Sequence, residues 1–393
     1  MRKSYNPQSL PIYGPISNID LDVTQSCNLA CIYCFKGEKH QREMSLDYAK
    51  SAIDWGLEAM QAVDCLYINF MGGEPLLRFN SLIVPTTEYG KRKAAQIGKR
   101  IQFSATTNLT LIDEEILNFW DKWGSGWLIS IDGVPQLQDI QRPFLSGNPS
   151  SKTVETNALK VLKQRPRQAV RSTFAPQNLN YFAESVIYFF ELGFPEVILA
   201  IACPNEIEDK HFNQFREEIK KISDYIEKKF KEGKSVRFRP FDYIIKKLIY
   251  PNPEEIPFTP MTCGAGRGMV MLDYEGNLWP CHRFDSAARD CGAGAGFCMG
   301  NIFGTFNHEL HLGFMNLNFA RDHLPECPSC PAYKICGFGC PASNLQDTGN
   351  LYKHHYNYCR IFRISYLEAK KFYNKMISVP TYRKHIEELV SVN

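Results

Sequence analysis

The sequence predicts an α/β protein with mostly parallel strands, followed by a small cysteine-rich domain and a C-terminal helix. Up to about residue 203, short apolar runs alternate with amphipathic helical stretches. This periodicity then gives way to glycine, proline and cysteine, and a helical pattern returns near the end. Six β-α repeats joined by right-handed crossovers form an open parallel sheet or a partial barrel. In both folds the chemistry gathers at the C-terminal ends of the strands.

The individual elements follow from these periodicities. Strands are predicted at residues 19–23, 66–70, 101–105, 127–131, 169–174, 196–202 and 236–240. Helices are predicted at 45–60, 114–122, 153–163, 181–191, 209–230 and 361–376. Ser45 is the expected N-cap of the first helix. A hairpin is predicted at 269–281, turning at Glu275-Gly276-Asn277.

Five parts follow from this pattern. We expect an N-terminal extension at 1–15, a partial (β/α)6 barrel at 16–235, a bridging strand and linker at 236–262, a cysteine-rich domain at 263–362 and a helical tail at 363–393. The linker prediction depends on four prolines between residues 251 and 260. A domain of roughly a hundred residues with so little regular core is usually held together by metal.

Composition excludes several classes of function. The net charge of +3 over 393 residues gives no reason to expect a nucleic acid or an acidic membrane surface as partner. No run approaches the ~18 to 20 apolar residues of a membrane span. The first residues lack the apolar segment of a signal peptide. We therefore expect a cytoplasmic protein that binds neither nucleic acid nor membrane.

Cysteine usage indicates metal or cluster binding. Of fourteen cysteines, three lie at 27–34 and nine between 263 and 359. Disulfides are not expected without a secretion signal, because the cytosol keeps thiols reduced. Cys65 and Cys203 lie apart from both groups, in apolar runs, and are interpreted as small buried hydrophobic residues.

The most informative motif follows the first predicted strand. Cys27, Cys31 and Cys34 stand as C-x3-C-x2-C. Three thiolates can hold three corners of a [4Fe–4S] cube and leave the fourth iron without a protein ligand, although the spacing also suits zinc. With this motif the chain resembles the radical S-adenosylmethionine (radical SAM) superfamily. The resemblance implies a TIM-like partial barrel in which SAM binds the open iron and is reductively cleaved to a 5′-deoxyadenosyl radical.

A second segment carries the same resemblance. Met71-Gly72-Gly73-Glu74-Pro75 directly follows the second predicted strand, as the GGEP segment of the superfamily does. Glycine there lets backbone groups approach the amino group of SAM, so contacts are implied for Gly72, Gly73 and Glu74. Tyr33 matches an aromatic residue that packs near adenine in relatives, with simple core packing as the alternative.

The ends of the third and fourth predicted strands also match. Asn108 ends the third strand region, although Leu109 stands where relatives usually have glycine. The resemblance implies that Asn108 lies near the cofactor, that Ser130 contacts ribose or carboxylate, and that Arg142 forms a salt bridge with the SAM carboxylate. An ordinary turn at Asp132-Gly133 and a surface arginine are the alternatives.

The second cysteine group has its own spacing. Cys263, Gly276 and Cys281 read C-x12-G-x4-C, and a later run reads C-x2-C-x5-C-x3-C before the last cysteine. This resembles the seven-cysteine SPASM extension of radical SAM enzymes, which houses two auxiliary [4Fe–4S] clusters. A pair of structural zinc sites is the alternative. The resemblance implies a distal cluster on Cys327, Cys330, Cys336 and Cys359, and a proximal cluster on Cys263, Cys281 and Cys340.

One ligand of the proximal cluster is left open. Two complete auxiliary clusters need eight thiolates, and the motif supplies seven. Cys291 and Cys298, in a glycine-rich loop, are candidates for the eighth. If neither serves, the open iron is available to bind substrate. We expect three [4Fe–4S] clusters and SAM as the cofactors.

The residue after Cys281 bears on the substrate. SPASM relatives mostly act on peptides or proteins. One subset oxidises a sulfatase cysteine or serine to formylglycine, and another crosslinks or excises parts of ribosomally made precursor peptides. Sulfatase-maturing relatives carry an acidic residue where this chain has His282, with Asp285 nearby. The prediction is therefore peptide maturation, with sulfatase maturation as the alternative. His282, as an orienting residue, and Asp285 are the catalytic candidates.

The predicted partners are a precursor peptide and an external electron donor such as flavodoxin or ferredoxin. Because some fifteen residues precede the first predicted strand, peptide capture is expected from a separate recognition protein or from the barrel mouth. A non-catalytic iron–sulfur or zinc scaffold is the alternative from a different class. It gives no reason for the GGEP and Ser130-Ile131-Asp132-Gly133 segments at strand ends.

Overall fold

The computed structural model describes residues 15–37, 41–123, 126–202, 207–249, 263–285, 294–315, 317 and 324–391. Almost all of the predicted N-terminal extension, the proline-rich linker at 251–260, Cys203 and Cys291 lie outside these residues. No helix in the described ranges combines the length and the apolar character that crossing a bilayer requires.

The strands of the described residues join into one sheet. They are β1 (Asn18–Thr24), β2 (Cys65–Gly72), β3 (Arg100–Thr107), β4 (Gly126–Ser130), β5 (Ala169–Phe174), β6 (Glu196–Ile201), β7 (Arg237–Phe238), β8 (Met269–Leu272), β9 (Asn277–Trp279) and β10 (Gly300–Asn301). Their order is β10-β9-β8-β1-β2-β3-β4-β5-β6-β7. Pairing is parallel from β8 through β7 and antiparallel in β8-β9-β10.

Helices follow the strands and cover one face of the sheet. They are α1 (Leu46–Ala59), α2 (Val84–Gln96), α3 (Glu114–Trp123), α4 (Pro135–Gln141), α5 (Ser151–Gln164), α6 (Phe182–Leu192), α7 (Asp209–Lys231), α8 (Arg239–Ile249), α9 (His308–Met315), α10 (Pro341–Thr348), α11 (Tyr356–Met376) and α12 (Pro380–Ser391). Ser45 caps α1, because its side chain accepts a hydrogen bond from the Tyr48 backbone amide. The predicted α/β fold with a largely parallel sheet is confirmed.

Strand periodicity divides the sheet into two faces. In β1, Ile19, Leu21 and Val23 are buried in the hydrophobic core against the helices. The alternate positions, Asp20 and Asp22, belong to the opposite face, because successive side chains in a strand point to opposite sides. That face lines the interior of the partial barrel, which we call the lumen.

The predicted strand at 236–240 is wrong in extent. Only Arg237–Phe238 pairs with β6, and α8 begins at Arg239. Pro240 lies in the first turn of α8, where proline is tolerated because the amide there has no intrahelical partner. Proline therefore marks the start of a helix here rather than the end of a strand.

The cysteine-rich region is joined to the barrel at both ends of the sheet. The predicted hairpin forms as β8 and β9, and β8 pairs in parallel with β1. At the opposite end, α11 packs against α7 and α8. The region therefore spans the open side of the partial barrel, between β1 and the β6–β7 edge.

Packing of α11 should depend on its buried face. Phe372 is buried, with its ring 5.6 Å from Phe241 and 5.3 Å from Tyr382. We expect Phe372→Ala to lower the free energy of unfolding by about 3–5 kcal/mol through lost packing and a cavity. Leu367→Ala, at an exposed position of the same helix, should change it little. Denaturant unfolding followed by circular dichroism measures both, and equal losses would contradict the assigned packing.

Candidate active site

A polar network crosses the lumen from β1 to β3. Asp20 pairs in register with Asn69, and Asn69 with Ser104. The Asn69 side-chain amide donates to Asp20 at 3.0 Å, and the Ser104 hydroxyl donates to Asn69 at 3.1 Å. These contacts fix a hydrophilic wall beside the ends of the strands, where substrates of such folds bind.

The loop after β1 brings the three N-terminal cysteines together. Burial is the main cause that raises the pKa of the Cys31 thiol, and the thiols of Cys34 and Cys27 raise it further. The loop is anchored by the backbone amide of Ala30, which donates to the Pro143 carbonyl at 2.8 Å. Cys27 is buried, and Cys31 and Cys34 are half-buried. Three thiolates this close together repel one another and need a compensating cation, which a cluster iron supplies.

Two glycines allow the GGEP segment to lie against this loop. Gly72 has a φ of +136°, and a Cβ there would overlap the Thr24 carbonyl oxygen. A Cβ on Gly73 would overlap the Ser26 carbonyl oxygen. The backbone amides of Gly73 and Glu74 donate to Thr24 and Ser26 at 2.7 and 2.9 Å. In this structure the glycines therefore permit a close backbone approach to the residues that precede Cys27.

Glu74 organises the next layer. Its fully buried carboxylate accepts hydrogen bonds from the Thr107 hydroxyl at 2.8 Å, the Asn108 amide at 2.7 Å and the Leu76 amide at 3.1 Å. Burial raises the pKa of Glu74 to about 7, although these bonds favour the charged form. Because protein donors occupy both carboxylate oxygens, Glu74 holds β3 to the cluster loop. The predicted contact between Glu74 and SAM stays a prediction.

Asn108 connects Glu74 to the cluster loop. Its side-chain amide donates to the Cys27 sulfur at 3.7 Å and to the Asn28 side chain at 2.8 Å. Leu109 follows with a φ of +67°, a backbone conformation that costs a non-glycine residue roughly 1–2 kcal/mol. This explains physically why glycine is usual at that position. The Asn157 side chain donates to the Leu109 carbonyl at 2.9 Å and fixes the turn.

Tyr33, Asp132 and Arg142 form one buried cluster. The Tyr33 hydroxyl donates to Asp132 at 2.7 Å, and Arg142 donates to the Tyr33 oxygen at 2.7 Å. Arg142 also lies 3.8 Å from the Asp132 carboxylate, and its Nε is buried without a partner. Ser130, just before Asp132, makes no side-chain hydrogen bond to another described residue. Asp132 is thus a buried anchor rather than part of a solvent-exposed turn.

Three cysteines of the second group lie together beside the barrel. Burial raises the pKa of Cys281 well above its usual value, and Cys263 and Cys340 raise it further. Cys340 likewise raises the pKa of Cys263. Arg283 donates to the Cys340 sulfur at 3.6 Å and to the Ser343 hydroxyl at 2.8 Å. This guanidinium balances part of the thiolate charge.

Cys298 has other neighbours. Its thiol donates to the Gly300 carbonyl at 3.3 Å. Burial raises its pKa, and Asp273 raises it further, with no contribution from another cysteine. The structure thus does not bring Cys298 to the three predicted proximal ligands. The other candidate for the eighth ligand, Cys291, lies outside the described residues.

One small cavity of about 40 Å³ is lined by the four remaining cysteines of the second group, Cys327, Cys330, Cys336 and Cys359. Burial raises the pKa of Cys359 to about 12, and the other three thiols raise it further. A shared, largely apolar cavity surrounded by four thiols has the chemistry that an iron–sulfur cluster requires. Within the described part of the chain, no three His, Cys, Asp or Glu side chains converge on a single metal ion.

His282 and Asp285 both face strand β1. His282 Nδ1 lies 3.0 Å from the Asp20 carboxylate, and its ring is 5.6 Å from that of Phe35, which follows Cys34. Asp285 is buried near the ion pair between Lys36 and Asp22. Burial raises the pKa of Asp22, Lys36 lowers it and Asp285 raises it. Burial lowers the pKa of Lys36, whereas Asp22 and Asp285 raise it. The two predicted cysteine regions are therefore joined through β1.

Sequence reasoning missed the lumen residues that make these contacts. Asp20 and Asp22 alternate with buried apolar residues in β1, so strand periodicity would have assigned both to the face opposite the core. Lys36 and Arg283 lie within two residues of predicted cysteine ligands, and that proximity was the available signal. Arg171, in the middle of β5, was detectable only as a charged residue inside a predicted strand.

Gly73→Ala tests the close approach of the GGEP segment to the cluster loop. The added Cβ overlaps backbone that cannot move without shifting Cys27, so we expect loss of about four iron atoms per reconstituted chain. Gly313→Ala, where a Cβ meets nothing within 4 Å, should retain full iron. Iron and sulfide analysis measures the difference. Full iron in Gly73→Ala would contradict the argument.

The pKa of Glu74 predicts a pH dependence of stability. The usual value is 4.5 and the folded value about 7, so between these values the native state binds the proton that the unfolded chain has released. Stability from this group therefore falls as pH rises. Between about pH 5 and 8, wild type should lose about 2–3 kcal/mol of unfolding free energy relative to Glu74→Gln. Urea unfolding across this range measures it, and a constant difference would refute the assignment.

Comparison with known proteins agrees with the geometry. The model of the radical SAM superfamily matches residues 21–219, about half of the chain. An uncharacterised protein of Methanocaldococcus jannaschii is 31% identical over 252 residues, covering 62% of this chain and 81% of its own length. A cysteine-type anaerobic sulfatase-maturating enzyme of Clostridium novyi is 23% identical over 382 residues, covering 91% and 94%.

Solved structures share the fold over most of the chain. A structure of anSMEcpe with bound AdoMet has a TM-score of 0.76 at 20% identity and covers 96% of this chain and 98% of that one. Streptococcus suis SuiB bound to the precursor peptide SuiA has a TM-score of 0.61 at 17% identity, covering 86% and 74%. The matched residues run from within β1 to within α7, and they include the three-cysteine loop and β2 to β6. The chain therefore belongs to the radical SAM superfamily.

Proposed function

We propose that this chain cleaves SAM reductively and removes a hydrogen atom from a peptide, in the maturation of a ribosomally made precursor peptide. The observation that carries the proposal is a polar lumen whose β1 wall connects two cysteine groups: β1 leads into the N-terminal cysteine loop, and Asp20 of β1 contacts His282, next to Cys281. An enzyme that only transfers electrons has no use for a polar lumen between its cysteine groups.

Cys27, Cys31 and Cys34 are the residues that would hold the cluster of the superfamily. When bound, the cluster and SAM together supply a 5′-deoxyadenosyl radical that abstracts hydrogen. The chain's own residues position this chemistry: the GGEP backbone and Asn108 fix the cysteine loop. Ser130 and Arg142 offer a free hydroxyl and a buried Nε towards the cofactor's polar groups.

The second cysteine group would hold two auxiliary clusters. This proposal is supported by the proximity of Cys263, Cys281 and Cys340 and by the four cysteines that line the small cavity. We propose that these clusters take up the electron left on the substrate after hydrogen abstraction. An external electron donor, such as flavodoxin or ferredoxin, supplies the first electron, and peptide capture falls to the barrel mouth or to a separate recognition protein.

Sulfatase maturation is the second candidate. It is supported by the likeness to sulfatase-maturating enzymes over nearly the whole length of both chains. The contact between His282 and Asp20 favours peptide maturation instead, because a histidine held by a carboxylate replaces the acidic residue expected after Cys281. The genes beside this one discriminate the two: a short peptide gene supports peptide maturation, and a sulfatase gene reverses the ranking.

Anaerobic reconstitution tests the proposed cleavage. Wild type with dithionite and SAM should form 5′-deoxyadenosine and bind about twelve iron atoms per chain. Cys27→Ala should retain about eight iron atoms and lose 5′-deoxyadenosine formation, because the N-terminal cluster loses a ligand. Liquid chromatography with mass spectrometry measures the nucleoside.

Cys65→Ala is the matched control, since Cys65 is buried in β2 away from the cysteine groups. It should keep both iron and activity. Wild type that binds zinc instead of iron and leaves SAM intact would overturn the proposed function.

A further inference from the structure

Arg171 places a positive charge in the lumen. It lies in the middle of β5, in register with Ser130 on one side and Ile198 on the other. The neighbouring positions, Val170 and Ser172, are fully buried towards the helices, whereas Arg171 is only half-buried. Strand alternation therefore directs its side chain to the same face as Ser130.

No carboxylate from the described part of the chain balances the charge of the Arg171 guanidinium. Burial lowers the pKa of Arg171, and so does Arg283, whereas Tyr33 and Tyr358 act in the opposite direction. Among the described residues, no side chain forms a hydrogen bond or ion pair with Arg171. Arg283 is fixed beside it by Ser343 and Cys340. Two neighbouring guanidiniums in a desolvated space repel each other, and an anion between them removes this cost.

The position of Arg171 lies between the two halves of the site. Tyr33 belongs to the N-terminal cysteine loop, and Tyr358 directly precedes Cys359 of the distal group. Arg283 belongs to the proximal cysteine group. A substrate that reacts near the first cluster and passes an electron to an auxiliary cluster must occupy the space that these residues share.

A largely apolar cavity of about 340 Å³ lies along β6, the strand that pairs with β5. Ile198, the register partner of Arg171, lines it, as does Tyr358. Further walls come from β6, α7, α8 and α11, including Ala200 and Phe362. A cavity of this size accommodates an aromatic or large aliphatic side chain, and Ile198 connects it to the position of Arg171 in the sheet.

We propose that Arg171, with Arg283 behind it, binds a carboxylate of the peptide substrate while an apolar side chain of that substrate occupies the cavity along β6. The inference rests on the proposed function and names its substrate class: a peptide with a carboxylate next to an apolar residue. The proposed function assigns the SAM carboxylate to Ser130 and Arg142, which leaves Arg171 for the substrate. Arginine suits the task because its planar guanidinium binds carboxylates bidentately.

N-acetyl-L-phenylalanine and its neutral amide are the probes. Both carry an aromatic side chain, and only the acid carries a carboxylate. Equilibrium dialysis against the anaerobically reconstituted holoenzyme with saturating SAM should show about tenfold tighter binding of the acid, as expected for a charged hydrogen-bonded pair. Arg171→Gln should bring the ratio close to one, and Arg171→Lys should retain part of it.

Arg167→Gln, at an exposed arginine just before β5, is the matched control and should keep the wild-type ratio. Equal binding of acid and amide by wild type, or no detectable binding of either, overturns the proposal. An unchanged ratio in Arg171→Gln also overturns it. The Arg171→Lys variant retains the charge, so a folding defect in the glutamine variant does not leave the question open.

A separate measurement identifies whose carboxylate is bound. Without any probe, Arg171→Gln should bind SAM as tightly as wild type does. Tenfold weaker SAM binding in this variant would assign Arg171 to the cofactor and overturn the substrate proposal. Failure of the proposed function can be distinguished from failure of this inference. If the proposed function is wrong, wild type forms no 5′-deoxyadenosine, whether or not it prefers the acid probe.

Discussion

Strand β1 is the element on which the rest of the site depends, because it is paired on both edges. It joins β2 on one side and β8 of the cysteine-rich region on the other. Its C-terminal end leads directly into the loop of Cys27, Cys31 and Cys34, and its lumen face contacts His282. Any shift of β1 would move both cysteine regions at once, so their separation is set by sheet hydrogen bonds rather than by a flexible linker.

Buried charge around β1 makes this arrangement specific. Lys36 and Asp22 form a buried ion pair, and Glu74 is fully buried with three donors. Removing one partner from such a group leaves an unpaired buried charge and costs several kcal/mol. The energy of the network therefore favours one position of the cysteine loop over its alternatives, which is the preorganisation that radical chemistry needs.

Sequence reasoning recovered the parts whose chemistry is local. The cysteine spacings, the glycines of the GGEP segment and the strands with clear apolar runs are readable because each depends on a few neighbouring residues. Helix α8 was missed because Pro240 resembles a strand end or a break, and the parallel pairing of β8 with β1 was missed because it joins segments far apart in the chain. Leu109 shows a further limit: its left-handed backbone is stabilised by Asn157, a contact that no local pattern contains.

The charges of the lumen differ from one wall to the other, and this difference has a chemical consequence. The β1 wall presents Asp20, whose carboxylate already contacts the side chains of Asn69 and His282. The opposite wall presents Arg171, beside a second guanidinium and no described acid. A peptide that enters between these walls meets a field that attracts anions towards β5 and away from β1. If the substrate is a peptide, as we propose, electrostatics as well as shape orient it in the lumen: its negative group lies towards the β5–β6 side, and its reacting carbon faces the cysteine loop.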